Sequence, residues 1–347
     1  MVRITKGDLV EDIQIKAEDL QQELHKYFSS WMNHEAAEIT ARSAVRNALE
    51  KDDRFQPLLE LSNDIKIFES RNRPKHVVTS ARESVESWDL NGSPGVCHLG
   101  EINLRAAEMA KSTGIGLIGL RNSGGVHQLS QYVQHLSQED FISIFLWNGG
   151  SYTTVPFGSS EPFFGTNPIA FGIPTQGRSI TADFATSQIA FRTLIKAFKN
   201  DESVEQGSGL DALGNPSVNP KKIYDSDGDD MVRLLPMGGG AKGSALMLLI
   251  EILTGALVGG VMAREATDDP FTPEEFGGLF MCIDINAFGF GTNFRSEVED
   301  LATSIRKSKP VPGVESVKLP GDLAAQRLIS FDGVLHVPGE LIEQIRK

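Results

Sequence analysis

Two apolar runs constrain the fold most: residues 114–120 (GIGLIGL) and Phe141–Trp147 (FISIFLW). Each is short, apolar and bounded by polar residues, so each reads as a buried strand rather than a helix. Residues 128–136 between them read as a helix, and residues 102–110 as the helix before them. Val77-Val78 and residues 84–88 are short strand candidates, followed by a turn at 91–95 (NGSPG). Ile169–Ile173 and Ile180–Phe184 read as strands, and residues 188–198 as a helix. Strands that alternate with helices imply an α/β domain with some parallel pairing.

The flanks differ from this middle. Lys6-Gly7-Asp8 offers a cap, and Leu9, Ile13, Ala17, Leu20 and Leu24 recur at helical spacing. The Ala-rich stretch His34–Leu49 continues the helical character, and the polar stretch 69–75 marks a boundary. Residues 201–230, rich in Gly, Ser, Asp and Asn, read as a long surface loop before the strand-like 233–235. One more strand is expected at 279–285, and helices at 295–307 and 341–346. The expected division is therefore a helical region, 1–74, and a mixed α/β domain, 75–292. The helices within 293–347 are expected to pack with the first region.

With 40% hydrophobic and 23% charged residues the chain can build a packed core. Its net charge is −13, which repels phosphate backbones and anionic membrane surfaces, so neither nucleic acid nor a membrane is an expected partner. A local cationic pocket for a small anion remains compatible with that total. Cys97 and Cys282 cannot make a disulfide framework, and the N-terminal residues lack an apolar signal segment, so a cytoplasmic protein with reduced thiols is expected. Residues 243–262 are long enough to span a membrane, but Glu251 and a cluster of glycines favour a buried helix instead. The seven histidines form no paired metal motif, and His127 and His135 lie eight apart on one predicted helix, so no metal site is expected.

Three motifs carry chemistry. Gly238-Gly239-Gly240-Ala241-Lys242-Gly243 satisfies G-x-G-x-x-G and opens a helix. No strand follows at the dinucleotide-fold position, and Ala241 replaces the glycine a phosphate loop needs, so a Rossmann unit is not expected. What survives is an anion cradle made of small residues, a helix N-terminus and Lys242, with a plain glycine-rich turn as the competing reading. Asp183 ends the strand Ile180–Phe184, where it can accept hydrogen bonds from a ribose or amide, and Thr186 can cap the following helix. Gly165-Thr166-Asn167-Pro168 reads as a structural turn.

These segments occur in a fixed order with Val155-Pro156-Phe157-Gly158, Glu161, Leu234-Leu235-Pro236-Met237, Pro312-Gly313-Val314 and Leu319-Pro320-Gly321. From about Gly95 onward the set resembles the malate/L-lactate dehydrogenase-like oxidoreductase family, which includes ureidoglycolate dehydrogenase and cyclic ketimine reductases. The resemblance implies a family-specific, non-Rossmann mixed sheet that binds NAD(P)H, with NADPH the expected form, an α-helical N-terminal region, and a homodimer. It further implies three cofactor-binding places. One is Ile180, Thr181, Ala182, Asp183, Phe184, Ala185 and Thr186. The second is Ala241 and Lys242, and the third is the turn Gly321, Asp322 and Leu323.

Two departures stand out against the family pattern. The usual Ser-His-Gly with a following Arg falls on Leu49-Glu50-Lys51 and Arg54, which puts Glu50 where the proton-donating histidine is implied. The Asn-x-Asn-His run falls on Asn122-Ser123-Gly124-Gly125, with a histidine only at His127. Reducing a 2-oxo acid develops an alkoxide that needs a proton or a cation, whereas a protonated ketimine becomes a neutral amine. The expected activity is thus reduction of a small 2-oxo acid or cyclic 2-imino acid by hydride transfer. His127 and Glu50 are the candidate acids, and Arg54 is a candidate for gripping the substrate carboxylate. A solvated, charged helix end is the competing account of Glu50 and Arg54, and a binding or scaffolding protein without turnover is the competing function.

Overall fold

The computed structural model describes residues 12–148, 152–226, 228–262 and 276–347. Strand β1 (Asp12–Lys16) is followed by helices α1 (Ala17–Phe28), α2 (His34–Leu49) and α3 (Phe55–Ser70). Strands β2 (Val77–Ala81) and β3 (Val85–Asp89), helix α4 (Leu99–Thr113), strand β4 (Ile115–Ser123) and helix α5 (Ser130–Gln134) come next. Then follow β5 (Phe141–Trp147), β6 (Ile169–Ile173), β7 (Ile180–Phe184), α6 (Phe191–Asn200), β8 (Gly209–Leu210), β9 (Pro216–Ser217) and α7 (Pro220–Ile223). The chain ends with α8 (Ala241–Thr254), β10 (Phe276–Asp284), α9 (Gly291–Arg306), α10 (Asp322–Ile329), β11 (Val334–Pro338) and α11 (Gly339–Ile345).

Among the described residues seven strands make one sheet in the order β2-β3-β4-β10-β5-β6-β7. The two apolar runs flank its centre: β10 enters antiparallel between β4 and β5, with Phe280 opposite Ile118 on one side and Phe145 on the other. Among the described strands only β3 and β4 run parallel, so the expected parallel component is a single pair in a mainly antiparallel mixed sheet. Helices α4 and α5 bury one face, where Ile118, Leu120, Phe145 and Phe280 meet Leu99, Ile102 and Tyr132. On the other face lies α8, with Val258 just beyond it packed over Gly119.

A second core belongs to the helices. Leu20, Leu24, Phe28, Leu58, Ile65 and Phe68 pack with Leu335, Val337, Leu341 and Ile342 from the far end of the chain. The expected helix through Ile13 is instead the strand β1, because Ile13 and Ile15 alternate and pair with Val337 and Leu335 of β11; pairing partners remote in sequence override the local helical spacing. The cap at residues 6–8 and Leu9 lie outside the described residues. In contrast α2 spans the expected His34–Leu49, and Asn33 Oδ1 caps it by accepting from Ala36 N at 2.8 Å. Helix α4 crosses α2 so closely that a Cβ on Gly100 would stand 2.0 Å from the Ala36 carbonyl oxygen.

Three further expectations are corrected. Residues 201–230 are not one loop, since β8, β9 and α7 lie within them and Ile223 and Tyr224 join Leu194, Val232 and Leu234 in a small core. Helix α8 ends at Thr254 and is half exposed rather than buried, with Leu248, Leu249 and Ile252 facing out. Its Glu251 is buried and accepts from Asn167 Nδ2 at 2.8 Å, which places the turn 165–168 against α8. Among the described residues no helix is long and apolar enough to cross a membrane. Cys97 and Cys282 are free, buried thiols.

Candidate active site

At the edge of the sheet, β7 faces a cleft of about 510 Å³. Its far wall is the turn into α10, where Gly321 takes a left-handed φ of 89° and a Cβ would stand 3.3 Å from the Thr181 carbonyl oxygen. Only a glycine allows that approach without strain. The floor comes from the C-terminal end of α2 with Arg46, Glu50 and Lys51, and from α5 with Ser130 and Gln134. Among the described residues four cations line the cleft, Arg46, Lys51, Arg178 and Arg327, against two carboxylates, Glu50 and Asp183. In a chain of net charge −13 this is a local reversal of sign, and a low-dielectric cleft focuses its field on an anion.

Hydrogen bonds fix most of these side chains. Arg46 Nε donates to Glu50 Oε1 at 2.8 Å, and Gln134 Nε2 donates to Glu50 Oε2 at 2.5 Å. Arg327 Nη1 donates to the Glu50 carbonyl at 3.3 Å and its Nε to Asp52 Oδ1 at 2.5 Å. Arg178 donates to the Gly321 carbonyl; burial pulls its guanidinium below the usual value while Glu50 and Asp322 pull it back up. Burial raises the Asp183 carboxyl, partly offset by the Ser130 backbone N–H that donates to Oδ2 at 2.9 Å.

The structure brings some predicted residues together and separates others. Thr181, Ala182, Asp183, Phe184, Gly321, Leu323 and Glu50 share the cleft, with Ile180 and Ala185 at its border. Glu50 is buried, so the solvated-helix-end account does not hold for it. Thr186 caps no helix, because α6 begins only at Phe191; its hydroxyl instead donates to the Asn167 carbonyl at 2.8 Å. The Asp322 carboxylate turns away to Arg306, at 2.9 Å and 3.0 Å, which holds it below the usual carboxylate range. Ala241 and Lys242 are exposed at the start of α8, outside the cleft wall. They are tied to the end of β7 through Met237 N, which donates to the Thr186 carbonyl at 2.8 Å.

Arg54 does not line the cleft; its guanidinium lies 4.8 Å from the Phe331 ring centroid and donates to the Arg327 carbonyl at 3.2 Å. His127 stands elsewhere again, before α5 rather than on a helix with His135, in a left-handed conformation with φ of 51°. Its Nε2 is 2.9 Å from Asp64 Oδ2 and its Nδ1 is 3.5 Å from Glu60 Oε2. Burial would lower its pKa, but the Asp64 and Glu60 carboxylates outweigh that and raise it to about 9. The cavity beside it is only about 10 Å³, room for roughly one water.

The malate/L-lactate dehydrogenase family profile matches residues 15–332. The chain belongs to the malate/L-lactate dehydrogenase family. Its members are NAD(P)-dependent dehydrogenases and reductases acting on small carboxylates. The chain is 31% identical over 258 residues to the L-sulfolactate dehydrogenase of Methanothermobacter thermautotrophicus, covering 72% of this chain and 71% of that enzyme. It is 32% identical over 223 residues to the Δ1-pyrroline-2-carboxylate/Δ1-piperideine-2-carboxylate reductase of Pseudomonas syringae, covering 62% of this chain and 60% of that enzyme. The solved sulfolactate dehydrogenase of Methanocaldococcus jannaschii shares the fold, with a TM-score of 0.79 at 24% identity over 96% of this chain and 95% of that one.

The match begins at residue 15, so family likeness reaches through the helical N-terminal region and does not start near Gly95 as the motifs alone suggest. For this dehydrogenase-family chain, sequence reasoning missed Arg46, Lys51, Ser130, Gln134, Arg178 and Arg327. Arg46 on the last turn of α2 and Lys51 just past its end flank Glu50 at the cap, a local signal that was available. Arg178 and Arg327 carry no such signal, since only the folded sheet edge sets them beside α2.

Proposed function

We propose that the cleft holds a reduced nicotinamide dinucleotide beside a small carboxylate, and that the chain reduces a 2-oxo acid or a cyclic 2-imino acid. The observation that carries this reading is the set of four cations around Glu50, walled by β7 and the Gly321 turn. A dinucleotide and a carboxylate are both anions, and the glycine turn leaves room for close backbone approach, so the residues fit the group. Bound there, the cofactor supplies the hydride. The chain's own part is to neutralise the anions with Arg46, Lys51, Arg178 and Arg327 and to orient the acceptor carbon.

Between the two acceptors the geometry favours the imine. Both Glu50 oxygens are taken up as acceptors, by Arg46 and Gln134, so neither is turned toward a developing alkoxide as a donor. No imidazole lines the cleft among the described residues, and both His127 nitrogens face carboxylates. A ketimine arrives already protonated, and the buried Glu50 carboxylate suits its positive charge. Oxidation of NADH and NADPH is to be followed with pyruvate, oxaloacetate, Δ1-piperideine-2-carboxylate and Δ1-pyrroline-2-carboxylate. Turnover of the cyclic imines well above the 2-oxo acids is expected. The reverse order would overturn the imine preference and keep the cleft, whereas no saturable nucleotide binding by calorimetry would overturn both.

We further propose NADPH as the preferred cofactor, because cations outnumber carboxylates along the described cleft wall and Arg178, beside the Gly321 turn, offers a guanidinium to a ribose phosphate. A homodimer through the outer face of α8 is the companion proposal. Leu248, Leu249 and Ile252, with Leu257 just beyond the helix, form an exposed apolar strip of the kind monomers rarely leave bare. Light scattering is expected to give twice the chain mass, and Leu249→Glu to shift it toward one.

A further inference from the structure

We propose that His76, His98 and Glu101 form a site for one divalent transition-metal ion, of the Zn²⁺ class, away from the cleft. One nitrogen of each imidazole and one carboxylate oxygen lie within 4.8 Å of one another. His76 sits just before β2, His98 in the short turn ahead of α4, and Glu101 on the first turn of α4. They are far apart in sequence at one end, which is why no ligand motif is legible there.

The spacing matches a small coordination shell. Bonds of about 2.1 Å in a tetrahedron set neighbouring ligand atoms roughly 3.4 Å apart. His98 Nδ1 is 3.0 Å and His76 Nδ1 3.5 Å from the same oxygen, Glu101 Oε2. Two edges of the shell are therefore already formed, and the two imidazole nitrogens lie within 4.8 Å of each other. Two neutral imidazoles and one carboxylate give the donor set that suits zinc, with the fourth position left to water.

The surroundings are those of a supported site. His98 Nε2 lies 3.0 Å from Ser93 Oγ, so with Nδ1 on the metal the other ring nitrogen donates to the serine and the ring is fixed. The His76 ring stacks on Trp88 at 4.0 Å and 6°, and Trp88 Nε1 donates to Glu86 Oε2 at 2.8 Å. His98 is buried while the His76 and Glu101 side chains are 21% and 25% exposed, which leaves a path for an ion to enter. An ion here would tie the segment leading into β2 to the start of α4, a staple between the helical core and the sheet edge.

The test uses tag-free protein stripped with chelator and then given Zn²⁺ or Co²⁺ alone. Expected are one Co²⁺ per chain with the visible bands of a tetrahedral ion, and a thermal midpoint that climbs with the logarithm of free Zn²⁺. His76→Gln, at the rim, is expected to lose both responses while its metal-free midpoint stays close to that of the parent. His98→Gln repeats the test from the buried side. A wild-type chain that takes up no Co²⁺, or a His76→Gln variant that binds it as the parent does, overturns the proposal. Nucleotide binding in the cleft serves as a separate readout, and its failure would bear on the cleft alone.

Discussion

Two charged clusters share the same pair of helices and differ in what their charges face. From α2 and α5 the cleft takes Arg46, Glu50, Ser130 and Gln134, while the pocket beside His127 takes Ala44, Asn47 and Gln131. In the cleft, cations outnumber carboxylates and surround about 510 Å³ of space. In the other cluster, His127 and Arg192 are met by Asp64 and Glu60 around about 10 Å³. A surplus of one sign around a cavity asks for a ligand, whereas matched charges without a cavity satisfy each other. The histidine that motif spacing offers as a catalyst thus belongs to the charge-matched cluster, and the glutamate belongs to the open one.

The largest expected effect breaks the comparison on the open side. Glu50→Gln removes the carboxylate that Arg46 and Gln134 hold in the cleft, and turnover of the best substrate is expected to fall about 100-fold, about 2.7 kcal/mol of barrier. The thermal midpoint should move little, because Gln keeps the shape and can still bond Gln134. Steady-state kinetics and a melting curve on the same preparation check this. Unchanged kcat with a lowered midpoint would make Glu50 a structural residue and reverse the contrast.

On the closed side the pattern should invert. Asp64→Asn removes the nearest charge from His127 and is expected to lower unfolding stability by about 2 kcal/mol, while KM and kcat stay within a few-fold of the parent. Urea unfolding and the cofactor-oxidation assay read the two quantities. A large kcat loss without a stability loss would bring the His127 cluster into catalysis.

The closed cluster also has a pH signature. The folded His127 pKa, about 9, lies above its ordinary 6.5. Its contribution is therefore fully present below pH 6.5 and lost as pH rises through 9. With the ring partly exposed, the loss between those values is expected to be roughly 1–2 kcal/mol. His127→Asn should flatten the curve, since asparagine tolerates the left-handed backbone, and should leave turnover close to the parent value. Urea unfolding at a series of pH values decides it; an equally steep curve in the variant would move the titration to another group.

Much of the fold was legible because its periodicity is local. Phe141–Trp147, Ile169–Ile173, Ile180–Phe184 and His34–Leu49 form the elements their patterns predict, to the residue. What local pattern could not carry was pairing. β1 is a strand only because β11 lies beside it, and α3, α10 and β11 went unforeseen although Leu58, Leu61, Ile65 and Phe68 recur at helical spacing. The site divides in the same way. β7, the Gly321 turn and Glu50 were legible as short motifs, whereas Arg178 and Arg327 meet Arg46 only through the folded sheet edge. The metal-like trio is the same lesson in another place, since His76 joins His98 and Glu101 only in three dimensions.

The smallest expected effect sharpens the comparison within the cleft. Arg178 is anchored to the Gly321 carbonyl and sits between Glu50 and Asp322, so its charge faces the turn proposed to meet the cofactor. Arg178→Gln keeps a donor for Gly321 but removes the charge. It is expected to raise KM for NADPH about tenfold, about 1.4 kcal/mol, with kcat and KM for the carboxylate nearly unchanged. The same substitution should change KM for NADH by less, because the missing charge matters most to the more anionic cofactor. Equal losses for both cofactors would assign Arg178 to the shared pyrophosphate instead. A loss confined to the carboxylate substrate would place the substrate, and not the cofactor, against the Gly321 wall.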